Sequence, residues 1–318
     1  MTARGGQLLA TFESILPIFL LILGGNLLRR MPLIDQSAWP GLEQLGFWFL
    51  YPTLLFVTIA NADFTGLELD AMMLALLVGV AIMCVLTYFL WPLFDRWKLV
   101  THDEFSSVYQ TAVRWNGFMA LAIAQKIFPP AGAAVVALVM AVIIVPINIA
   151  SVFVVTKFAD RQSNWPKTLQ RMATNPLILA SLAGLAIRLL PNGLYDPINE
   201  TLDLVARAAL GMGLIAIGAG LKLEDLATSR FSVWLPVVLK LVVFPVLLIG
   251  LAIGFGITGL QLSYLALCAA VPTAMNGYLL ARQLGGDAEL YAAVTTIQTA
   301  VSFLTIPAVL AATAYIAG

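Results

Sequence analysis

The chain has 318 residues, 17 basic and 17 acidic side chains for a formal net charge of zero, and 61% hydrophobic against only 11% charged residues. A soluble domain carries about 25% charged residues, so this composition excludes an ordinary soluble fold. The even charge balance excludes nucleic acid as a partner, because that requires a basic surface.

A helix crossing the hydrocarbon core, which is about 30 Å thick, needs about 20 apolar residues. In chain order the pattern predicts ten such spans, near 8–28, 40–60, 70–92, 105–127, 132–156, 172–190, 203–221, 232–256, 260–282 and 289–314. The first lacks a small-x-small cleavage signature and is expected to be a span rather than a secretory peptide. After span three, the polar segment His102-Asp103-Glu104 reads as a helix start at the membrane surface. Span four holds an unusually polar stretch, Gln110-Thr111-Ala112-Val113-Arg114-Trp115-Asn116-Gly117. The uncharged run from Leu241 to Ala281 is too long for one crossing and divides at Gly254-Phe255-Gly256-Ile257-Thr258-Gly259, where clustered glycines permit a tight turn. Span nine then carries Ala270-Val271-Pro272-Thr273-Ala274-Met275-Asn276-Gly277-Tyr278.

The two polar stretches echo each other. Asn116-Gly117-Phe118 pairs with Asn276-Gly277-Tyr278, Pro17 with Pro176, Gly25 with Gly184 and Pro146 with Pro307, at offsets of 159 to 161 positions. Five spans per copy is an odd number, so the second copy enters the membrane from the opposite face. The expected fold is an all-α polytopic membrane protein of ten transmembrane helices in two inverted five-helix repeats, residues 1–160 and 161–318. Eleven of the 17 basic residues fall in the loops after odd-numbered spans, among them Arg29, Arg30, Arg96, Lys98, Lys157 and Arg282. The positive-inside rule then places both termini on the outer, periplasmic side of a bacterial-type inner membrane.

Helix breaks at matching depths offer unpaired N–H groups to an anion and unpaired C=O groups to a cation. Asn116 and Asn276 add neutral donors and acceptors and are the first candidates for substrate binding. Arg114, Gly117, Thr273, Gly277 and Tyr278 are grouped with them, and Pro272 with Gly277 is expected to break the helix. Arg114 and Lys240 are charges within spans, where a charge usually faces a polar interior, and Lys240 is an electrostatic or coupling candidate. No carboxylate falls mid-span beside either asparagine. Asp63 is the best-placed acid for coupling, although its boundary position also suits a capping role. Gln110, Gln298 and Ser302 are candidate cavity-lining residues, and Trp115 a candidate cavity wall. Cys84 and Cys268 lie in apolar stretches without paired spacing or a histidine partner, so no metal site and no cofactor are expected. No clustered nucleophile and base points to an enzyme.

With these residues in view, the chain resembles the auxin efflux carrier family, especially its bacterial malate- or malonate-permease-like members. The resemblance rests on Asn175-Pro176 opening the second repeat, Asn116-Gly117-Phe118 in span four, and Val271-Pro272 through Asn276-Gly277-Tyr278 in span nine. It implies crossed, discontinuous helices four and nine, a homodimer in membrane lipid, and transport of a small organic anion, a mono- or dicarboxylate, by an elevator-like movement. Asn116 matches a substrate-proximal asparagine of the family pattern, and Gly277 falls where plant auxin carriers place a helix-breaking proline. The chain departs from the family at Ala120-Leu121-Ala122-Ile123, where a Gly-Ile-Pro or Gly-Leu-Pro element is usual, and in lacking a long central loop. Two alternatives stand beside this reading: a sodium-coupled organic-anion symporter resembling the bile-acid carriers, and a non-transporting membrane receptor or scaffold.

Overall fold

The computed structural model describes residues 2–32, 34–158, 166, 170, 173–189, 194–221, 230–275 and 277–317. The described elements are helical: α1 (Thr2–Arg30), α2 (Ala38–Leu45), α3 (Tyr51–Ala60), α4 (Leu69–Phe89), α5 (Trp91–Arg96), α6 (His102–Val113), α7 (Gly117–Ile127) and α8 (Pro130–Phe158) in the first half. The second half holds α9 (Pro176–Ile187), α10 (Asp196–Gly220), α11 (Phe231–Val238), α12 (Phe244–Gly254), α13 (Gly259–Ala270), α14 (Gly277–Leu284) and α15 (Ala288–Ala317).

Two of these joins are π-helical turns, Gly46–Leu50 between α2 and α3 and Leu239–Val243 between α11 and α12. Each lies just ahead of a proline, Pro52 or Pro245. A proline ring clashes with the carbonyl four residues earlier and offers no N–H to it. Widening the preceding turn keeps the chain helical around that clash.

Among the described residues seven helices are long and apolar enough to cross a membrane: Phe12–Arg30, Ala38–Ala60, Leu69–Arg96, Pro130–Phe158, Asp196–Gly220, Phe231–Gly254 and Ala288–Ile316. This corrects the expected ten. The 105–127 segment divides into α6 and α7, with 12 and 11 residues, and the 260–282 segment into α13 and α14, with 12 and 8. Among its described residues, the 172–190 segment forms the 12-residue α9. At 1.5 Å per residue, 12 residues reach about 18 Å, well short of the hydrocarbon thickness. Apolar composition made these stretches look continuous, while local polar chemistry ends their helices early. The inverted-repeat expectation loses its premise with them, since it rested on counting five spanning helices in each half. Its boundary at residues 160 and 161 lies outside the described residues.

The helices pack in two groups. In one, α1 lies along α10, and α3 packs on both α9 and α10. In the other, α4, α6, α8, α11, α12, α13 and α15 pack on one another. Helix α7 touches both groups, through α1 and α10 on one side and α8 and α13 on the other; α15 also reaches α1, and α8 also packs on α3 and α9.

Small residues set the closest approach within the first group. A Cβ on Gly25 would lie 2.1 Å from the Ile215 carbonyl oxygen, and one on Gly218 would lie 1.7 Å from that of Ile22. Only glycine lets the two backbones meet, the usual device where apolar burial gives helices no preference for each other over lipid. The same contact is fastened by Asn26, whose Nδ2 donates to the Gly218 and Leu221 carbonyls at 3.2 and 2.6 Å, and by Arg29, whose Nη1 donates to Ala219 at 2.5 Å. Large apolar side chains such as Trp48, Phe89, Val246 and Leu304 face outward, as lipid-facing positions require.

Candidate functional site

Helix α6 starts at a capping box. The Thr101 hydroxyl accepts from the Glu104 N–H, and the Glu104 carboxylate accepts from the Thr101 N–H at 2.9 Å. Every residue from Phe105 to Val113 is buried. The helix ends at Arg114, whose backbone turns extended (φ −71°, ψ 161°). Three residues later α7 begins, capped by the Asn116 side-chain oxygen, which accepts from the Met119 N–H at 3.1 Å.

Helix α13 ends comparably. Val271 is extended (φ −70°, ψ 148°), the conformation that a following proline imposes on its neighbour. Pro272 then leaves its carbonyl free of helix, and that carbonyl accepts the Asn116 backbone N–H at 2.7 Å. One main-chain hydrogen bond therefore joins the two breaks. It brings the N-terminal end of α7, a region of positive potential, to the C-terminal end of α13, a region of negative potential.

A second tie runs through Gln298 on α15. Its Oε1 accepts from the Thr273 N–H at 2.8 Å, while its Nε2 donates to the carbonyls of Thr111 on α6 and Pro236 on α11, each at 3.0 Å. The amide is fully buried and spans three elements. The Thr273 hydroxyl lies 3.2 Å from the Tyr291 hydroxyl, which donates to the Ala274 carbonyl at 2.6 Å. Gly277 sits against the same ring, since a Cβ there would lie 2.3 Å from Tyr291 Oη. Both halves of the α13–α14 break are thus held by α15.

Arg114 is 6% exposed. Its Nη2 donates to Asn148 Oδ1 on α8 at 3.0 Å, and its Nε has no partner. Gln110, one turn earlier on the same helix face, is fully buried with neither amide atom satisfied. A buried polar group without a partner costs about 1–3 kcal/mol, so this row of unused donors and acceptors calls for something to meet it. Among the described residues the ion pair is the exposed Arg207–Asp203 contact, and no carboxylate approaches Arg114 within 4 Å.

The structure brings together Arg114, Asn116, Gly117, Pro272, Thr273 and Gly277 around the two breaks. Tyr278 is half-buried in the first turn of α14, its N–H on the Met275 carbonyl at 3.0 Å. Asn276 lies outside the described residues. Trp115 is partly buried against the core, and the Ser302 hydroxyl is taken up by the Thr299 carbonyl at 2.7 Å within its own helix.

Lys240 lies in the π-helical turn of the Phe231–Gly254 span, fully buried. Asp63 lies apart, in the loop between α3 and α4. Its Oδ1 accepts from the Thr65 N–H and hydroxyl at 2.9 and 2.6 Å, and these bonds hold its carboxyl below the usual range. Sequence reading missed Asn148 and Tyr291. Asn148 did carry a signal, an amide two residues after Pro146 in an otherwise apolar span, whereas Tyr291 near a helix start carried none. Among the described residues no group of three His, Cys, Asp or Glu side chains is placed to hold a metal ion.

The model of the family described as membrane transport protein matches residues 164–310. A protein of Rhizobium meliloti (strain 1021), provisionally named a malonate transporter, is 31% identical over 142 residues, 44% of either chain. The alignment thus spans less than half the length of that relative. An uncharacterized transporter of Methanothermobacter thermautotrophicus (strain ATCC 29096) is 23% identical over 309 residues, covering 93% of this chain and 96% of the other. The long apolar helices mark the chain as a multi-pass membrane protein. With the family match in its second half and a transporter alignment along nearly all of its length, the chain is similar to membrane transport proteins.

Proposed function

We propose that the chain is a secondary transporter of a small organic anion bearing one or two carboxylates, bound where the α6–α7 and α13–α14 breaks meet. The carrying observation is the buried row of Arg114 and Gln110, with unused donors and no carboxylate to neutralise the guanidinium. A carboxylate is the planar anion that suits a guanidinium fork. In this reading Arg114 is the principal binding residue. The N-terminal end of α7 and the side chains of Gln110 and Thr273 orient the anion, Gly117 and Gly277 let Met140 and Tyr291 pack close behind the breaks, and Tyr278 completes the opposite wall. The malonate name borne by the Rhizobium relative supports a short dicarboxylate as the first substrate to try.

The two packing groups support alternating access by movement of the α4–α8 and α11–α15 body against the α1–α3 and α9–α10 body. A homodimer in a bacterial inner membrane suits such a division. The basic ends at Arg29, Arg30 and Arg96, placed inside, put the start of α1 outside. Counterflow of labelled malonate, malate and monocarboxylates into sealed proteoliposomes tests the reading. Exchange of at least one of them is expected, and an inserted, folded protein that exchanges none overturns it.

A further inference from the structure

Lys240 is the second cation buried within the helix bundle. Its relative exposure is zero, its Nζ has no hydrogen-bond partner, and the nearest compensating group is the Phe244 ring face, 4.4 Å from Nζ to the centroid. The π-helical turn that carries it packs against α6, α11, α12, α13 and α15. Helices α11 and α12 have no ionisable side chain. Helix α13 offers Tyr264 and Cys268.

Helix α6 carries Tyr109 and ends at Arg114, while its His102, Asp103 and Glu104 stand at the opposite, surface end. Helix α15 carries Glu289 in its first turn, Tyr291, whose hydroxyl is occupied by Thr273 and Ala274, and Tyr315 near its far end. No acid faces Lys240 from any of them within 4 Å among the described residues. An ammonium in so apolar a place is costly, and a cation–π contact offsets only part of that cost. The amine has two ways to meet the cost: pass its proton on, or have a negative charge arrive nearby.

The proposed substrate supplies that charge. Gln298 links the π-turn region to the breaks directly, through Pro236 on α11, Thr111 on α6 and Thr273. Pro236 lies one helical turn before Lys240. Charges in such a desolvated interior interact far more strongly than in water. We propose that Lys240 is the proton-carrying group of the transporter, loading one proton with each organic anion and releasing it on the opposite side. The inference rests on the anion-carrier reading above. The proton passes from water to the Nζ lone pair and from there to water across the membrane, and no other bond changes.

The test uses the full-length protein in sealed proteoliposomes holding a trapped pH indicator, with labelled malonate as probe and protein-free vesicles as the blank. An outside pH one unit lower is expected to raise malonate accumulation about tenfold, with acidification of the lumen. Lys240→Met fills the same space without a titratable group, and is expected to lose that accumulation while malonate-for-malonate exchange continues. Lys240→Gln serves as a second, polar replacement should the methionine variant fail to insert, and is expected to behave alike. Wild-type net malonate uptake without proton movement overturns the inference alone, as does a Lys240 variant that retains gradient-driven accumulation. Absence of exchange for every carboxylate overturns the carrier reading, and the inference with it.

Discussion

At the scale of single residues, two charged groups separate binding from local structure. Arg114 is held by one neutral acceptor and has unused donors. Charge-assisted hydrogen bonds contribute about 1.5–3 kcal/mol each, so Arg114→Met is expected to weaken substrate affinity about 10- to 100-fold in uptake or binding assays. Arg114→Lys should restore only part of this, because an ammonium lacks the planar fork. Full affinity in either variant would remove Arg114 from the site.

Asp63 is different. With its carboxyl held below the usual range by Thr65, it stays ionised through neutral and mildly acidic pH. Whatever it contributes to the turn is present above the ordinary carboxylate pKa and is lost only as pH falls through its own lower value. A coupling proton exchanged near neutrality cannot reside there. Asp63→Asn is therefore expected to leave the pH profile of uptake between pH 5 and 8 unchanged, and a displaced profile would show that the acid takes part in coupling.

At the scale of elements, glycines at α1 and α10 discriminate between packing and mere helix propensity. Gly24 and Gly25 are adjacent, yet a Cβ on Gly24 meets nothing within 4 Å, whereas one on Gly25 meets the Ile215 backbone. Gly25→Ala is expected to destabilise by about 1–3 kcal/mol through forced separation of the helices. Gly24→Ala should be neutral, and equal melting temperatures for the two variants would refute the contact. Here the sequence was only partly legible. The turn at Gly254–Gly259 was readable because positive φ is needed there, observed at Gly256 (80°) and Gly259 (60°).

The polar stretches around Arg114 and Pro272 were readable as places of discomfort, but their effect on helix length was not. Hydropathy averages over a window. It does not register a carbonyl from a distant segment capturing the Asn116 N–H. Asn148 and Tyr291 were hidden for a related reason, since their importance comes from what α8 and α15 place beside them and not from their own neighbourhoods in sequence.

At the scale of the whole molecule, composition was enough to establish a membrane protein, while the number of long helices was not. Seven rather than ten follows from where backbone hydrogen bonds stop, and polar side chains control that more than mean hydropathy does. The proposed orientation remains open to a direct check. Glu68→Cys, at the start of α4, and Lys98→Cys, after α5, each in a background with Cys84 and Cys268 replaced, should differ in intact cells. An impermeant maleimide is expected to label position 68 and to spare position 98, and the reverse pattern would invert the molecule.

The hydrogen bond between the Asn116 N–H and the Pro272 carbonyl has a consequence for mutational mapping. It is made by main chain on both sides, so a conventional alanine scan passes over it in silence. Asn116→Ala removes the cap on α7 but keeps the N–H, and changes at position 272 keep the carbonyl. Proline at 116 is the one natural residue that deletes the donor. Neutral drift can therefore rewrite the side chains around the site, and with them the cargo, without ever touching the knot between the two segments.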